Sequence, residues 1–104
     1  MIDQTYDLAA RNALAKRTFD LDGLERELRK IGTLNASEIK GALKRASEAL
    51  HESAEVIRDH AYGESQVSND VLALAAATIT AAQEVLDAII YSEASRAMLG
   101  VNRS

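Results

Sequence analysis

Between Arg58 and Arg96 the chain carries no Lys or Arg. Within that gap Val71, Leu72, Leu74, Ala75, Ile79, Ala82, Val85, Leu86, Ile89 and Ile90 recur at helical spacing. A stretch this apolar, with few charges to solvate it, belongs inside a bundle or against a partner. The rest of the chain must then supply cover for it.

Composition supports helices throughout. Pro and Cys are absent, Gly occurs five times and Ala nineteen times in 104 residues. Ala, Leu, Glu, Arg and Lys favour helix, and the lack of Pro and Gly clusters argues against a strand-and-turn fold. Without Cys there are no disulfides, thiolate metal sites or cysteine nucleophiles. One domain over residues 1–104 is expected, large enough for a modest core.

Local signals divide the chain. A first short helix is expected from about Asp3, with Ile2, Tyr6, Ala9, Ala10, Ala13 and Leu14 on a narrow apolar side. Thr18 to Gly23 (TFDLDG) reads as a break, with Asp20 or Asp22 capping a second short helix whose stripe is Leu21, Leu24, Leu28 and Ile31. If Asp20 caps, Phe19 and Leu24 take the staple positions; Gly32 closes that helix. The segment Asn35-Ala-Ser-Glu38 resembles a capping box, with Leu34 and Ile39 as its staple. From there Ile39, Ala42, Leu43, Ala46, Leu50, Ser53, Ala54, Ile57 and Ala61 share one face until Gly63. Ser68 then caps a last helix running toward Gly100, with residues 101–104 as a frayed tail.

The expected fold is therefore all-α: an antiparallel helical bundle in which a long hairpin, Asn35–Ala61 with Ser68–Met98 (within residues 34–100), follows two short helices in residues 1–33. The apolar positions of the last helix wrap too far round for that cover, so dimerisation is expected. The contacts are placed on Tyr6, Leu74, Val85, Ile89 and Tyr91, since tyrosine combines a broad apolar ring with one hydrogen bond.

Charge narrows the function classes. The net charge of −4 is spread as zero over residues 1–33, −1 over 34–62 and −3 over 63–104. A nucleic-acid binder needs a cation for each phosphate contact, so nucleic acid is an unlikely partner for this acidic chain. Met1–Ala10 shows no basic segment followed by an apolar run, and no uninterrupted apolar run approaches the roughly 18 residues of a bilayer span. A soluble cytoplasmic protein without membrane contact is expected.

Three chemical constellations bear weighing. Arg45 and His51, separated by five residues, resemble the Arg-(four to six residues)-His motif of the HEPN ribonuclease family. That resemblance covers seven residues; it implies a helical dimer in which His51 acts on a ribose 2′-hydroxyl and Arg45 stabilises the phosphate. Leu24 to Leu43 can be read as a helix-turn-helix, with Lys40 and Lys44 available to phosphates. Glu48, His51, Glu52 and Glu55 have metal-ligand spacing, but on a face that reads as solvated, so no metal or cofactor is expected. His60 is placed structurally, near a helix C-terminus. The function expected is a non-enzymatic protein–protein interaction module, a small bacterial or phage adaptor or inhibitor acting as a homo-oligomer. The alternatives are a nucleic-acid-binding regulator or the HEPN-like ribonuclease.

Overall fold

The computed structural model describes residues 2–30 and 35–102, with side chains through residue 93. Three long helices make up the described chain: α1 (Gln4–Leu28), α2 (Ala36–Ala61) and α3 (Asn69–Asn102).

α1 begins where expected. Asp3 is its N-cap, accepting from the Tyr6 amide at 3.1 Å. It does not break at TFDLDG, so the two short helices are one. The reasons are visible around the expected break. The Thr18 hydroxyl donates back to the Leu14 carbonyl at 2.9 Å, satisfied inside the helix. Asp20 does not cap, and instead lies 3.7 Å from Arg45. Gly23 costs about 1 kcal/mol relative to Ala in a helix. Against that, Leu14, Leu21 and Leu28 recur every seven residues and are all essentially inaccessible. Burial of a leucine contributes about 1.5–3 kcal/mol, so the stripe outweighs the glycine. Phe19 staples nothing and stands 78% exposed. α1 packs closely along α3. Ile31, Gly32 and Leu34 lie outside the described residues.

α2 starts at the expected cap, with Asn35 Oδ1 accepting from the Glu38 amide at 2.9 Å. Its buried stripe is rotated from the expected one. Ile39, Ala42, Ala46, Ala49, Ser53 and Val56 are buried, whereas Leu43, Ala54 and Ala61 are exposed. α2 must face α1 as well as α3, and that turns Ala49 and Val56 inward. The helix ends in a Schellman motif. Gly63, at φ 75°, bonds the His60 carbonyl, and the Glu64 amide bonds that of Asp59 at 2.9 Å. The His60 Nδ1 accepts from the Val67 amide at 3.1 Å, which ties the α2–α3 connection to the end of α2.

Ser68 is the N-cap of α3, its hydroxyl accepting from the Val71 amide at 3.3 Å. Its own amide donates to Asp7 of α1 at 2.6 Å. α3 passes through Gly100 to Asn102, so residues 101 and 102 are helical instead of a tail. Asp7 meets Ser68 at one end, and Leu28 shares a cluster with Ile89 at the other. α1 and α3 therefore run parallel, with α2 antiparallel to both.

The core is divided. One cluster holds Leu21, Leu28, Ile39, Ala42, Ala46, Ala49, Val85, Ala88 and Ile89 with their neighbours. The other holds Ala10, Leu14, Val56, Val67, Val71 and Ala75. Each helix places a hydroxyl at the junction: Thr18, Ser53 and Thr78. Thr18 and Thr78 meet at 2.8 Å, while Ser53, fully buried, has no hydrogen-bond partner.

Candidate functional site

α2 has two edges of opposite chemistry, and its helical rows assign them. Along the edge toward α1, Arg17 grips Glu52 through both guanidinium arms, Nε to Oε2 at 3.1 Å and Nη2 to Oε1 at 2.8 Å. Glu48 lies 3.5 Å from the same guanidinium, and Asp20 pairs with Arg45 one turn further along. The hydrogen bond to Glu52, with the nearby carboxylates, holds Arg17 above its ordinary pKa. A groove of about 550 Å³ opens beside this bridge, lined by Ala13, Lys16, Arg17, Phe19, Asp20 and Glu52. Tyr6 closes the far end of the same edge. Its phenol is pushed up by burial and by Asp59 and Glu55 nearby.

The edge toward α3 is aliphatic. Leu43, Leu50 and Ile57 stand seven residues apart on α2, and Leu72, Ile79 and Leu86 do the same on α3. Being antiparallel, the two rows run side by side. Leu50 and Leu86 touch one core cluster, Ile57 and Leu72 the other. Flanking them outward are Lys40, Ser47, Ala54 and Ala61 on α2, and Asn69, Ala76, Gln83 and Ile90 on α3. None of these fourteen positions is buried, and Lys40 is the single charge among them. Ile90 is 66% and Leu43 46% exposed. From Asn69 to Glu93, α3 is long and apolar enough by composition to cross a bilayer, yet only 33% of that stretch is buried by the chain. Its apolarity exceeds what two flanking helices consume.

The sequence-derived contact residues fall in different places. Val85 is fully buried and Ile89 nearly so, both in the cluster formed with α1 and α2. Leu74 and Tyr6 are half-buried against the other cluster. Tyr91 is 49% exposed, next to Ile90. The uncovered aliphatic rows are thus that of Leu43 on α2, where no contact is expected from the sequence, and that of Leu72 on α3, one step round from Val85 and Ile89. Their seven-residue spacing was the available signal.

Arg45 and His51 do not converge. Six residues apart, they point to different sides of α2: Arg45 toward Asp20 of α1, His51 outward at 3.2 Å from Glu55. Among the described residues no three His, Asp or Glu side chains gather as a metal site. The turn of the helix-turn-helix reading lies outside the described residues. Comparison of the chain with protein-family models, with curated proteins and with solved structures finds no match.

Proposed function

We propose that this chain is a non-enzymatic protein–protein interaction module, a small helical adaptor or inhibitor, whose docking surface is the aliphatic face shared by α2 and α3. One observation carries the reading: fourteen unburied positions on two adjacent helices hold one charge between them. Water-exposed aliphatic surface is stabilised by removal from water, at about 25 cal/mol per Å². Contiguous patches of this kind mark binding surfaces on soluble chains. Bringing another protein's helices onto the face buries Leu43 and Ile90 fully, while Lys40 and the polar ends form the rim.

The test is Leu43→Glu and Ile90→Glu, at the two most exposed aliphatic positions of the face. Both variants are expected to keep wild-type helicity by circular dichroism and to lose protein partners in quantitative affinity capture. Partner sets unchanged by both substitutions contradict the reading.

A further inference from the structure

The face is large enough, and charged in the right pattern, to recognise itself. α2 is 26 residues long, about 39 Å at 1.5 Å per residue. Two helices packed about 10 Å apart present a width of about 20 Å, so the face offers on the order of 800 Å². That is the share one partner contributes to a standard stable interface.

The charges bordering the face select an orientation. The outer row of α2 is Lys44, His51 and Arg58; that of α3 is Ala73, Thr80 and Asp87. The His60–Val67 hydrogen bond sets residues whose numbers sum to about 127 level across α2 and α3. Lys44 and Asp87 therefore differ in height by about four residues, or about 6 Å, within the reach of a lysine side chain. Both are exposed. Arg58 has Asp59 at 3.4 Å, and Asp87 adds to the field at Arg29 of α1. Stacking α2 on its own copy brings Lys40, Lys44 and Arg58 of one chain toward the same cations of the other, which is unfavourable. A two-fold axis parallel to the helices instead lays α2 of one copy on α3 of the other. It preserves height, and so brings each Lys44 to the partner's Asp87. This deepens the docking reading above and rests on it.

We infer that the occupant of the α2–α3 face is a second copy of this chain, related by a two-fold axis along the helices, with Lys44 meeting Asp87 twice across an aliphatic centre. Sedimentation equilibrium of the purified full chain, from about 1 μM to about 1 mM, spans the affinities expected of such a contact. A dimer is expected for the wild type. Lys44→Glu alone and Asp87→Lys alone should each weaken it about tenfold, because each makes two like-charged contacts. An equimolar mixture of the two variants should restore it, since both contacts then become attractive. A wild-type monomer throughout the range overturns the inference, as does a dimer indifferent to both substitutions. A monomer that instead co-sediments with phosphatidylcholine vesicles overturns it in favour of a lipid surface. A wild-type monomer whose partner capture is still abolished by Leu43→Glu removes only the self-partner. Loss of both effects removes the docking reading as well.

Discussion

The two edges of α2 have similar length and access to solvent, yet one is spanned by charged side chains and the other is left aliphatic. Toward α1, charged side chains reach across: Arg17 to Glu52 and Glu48, and Arg45 to Asp20. Long side chains can bridge helices that touch little, and they keep their charged ends wet. Toward α3, Leu43, Leu50 and Ile57 have no such reach and leave half-exposed aliphatic surface. An edge bridged by ion pairs can face water indefinitely. An aliphatic edge flanked by Ser47, Ala54 and Ala76 is better covered.

The substitutions that probe this contrast should differ in size and in what they move. Leu21→Ala, beneath the bridged edge, should have the largest effect, costing about 3 kcal/mol in denaturant unfolding because Leu21 is fully buried. Leu43→Glu should leave unfolding of the isolated chain nearly unchanged but weaken association by about 2 kcal/mol, a value typical of a central interface residue. If Leu43→Glu unfolds the chain as Leu21→Ala does, the two edges are not distinct. Ser53→Ala should stabilise by about 1 kcal/mol, since it removes a buried hydroxyl that has no partner. Arg17→Ala should cost only about 0.5–1 kcal/mol, because Glu52 is 42% exposed and the pair is screened; its effect should shrink in added salt.

The smallest effect concerns pH. The Ser68 amide, with Arg11 nearby, holds the Asp7 carboxyl below its ordinary value. A carboxyl lowered in the folded state contributes stability that is fully present above the unfolded value of about 3.9. That contribution is lost as pH falls through the folded value. The stability difference between wild type and Asp7→Ala should therefore be constant near neutrality and narrow below about pH 4. Thermal unfolding across that range measures it.

Much of this architecture is legible in the sequence where a single residue type has a single local use. Asp3, Asn35 and Ser68 cap, Gly63 closes α2 in the left-handed conformation, and the long hairpin follows from a short connection. The continuity of α1 was hidden because Thr18, Asp20 and Gly23 are individually break-like. Their partners, the Leu14 carbonyl, Arg45 and the Leu14–Leu21–Leu28 stripe, become evident only once α3 and α2 are in place. The surplus apolarity of α3 was also readable, but its direction was not. Val85 and Ile89 satisfy helical spacing as well as Leu86 and Ile90 do. Only the position of α1, fixed by Asp7 at Ser68 and by Thr18 at Thr78, determines which pair turns inward.

The central claim is that the α2–α3 face is covered in the working protein while the outer side of α1 is not. Because the chain has no Cys, single thiols can be placed at will. Ser47→Cys puts one on the face and Asn12→Cys puts one on α1, both at positions exposed in the isolated chain. The measurement is the rate of thiol labelling of each variant in extracts of the cells that make the protein. Cys at position 47 is expected to react at least about tenfold more slowly than Cys at position 12, as a position sequestered for most of the time does. Equal rates would contradict it.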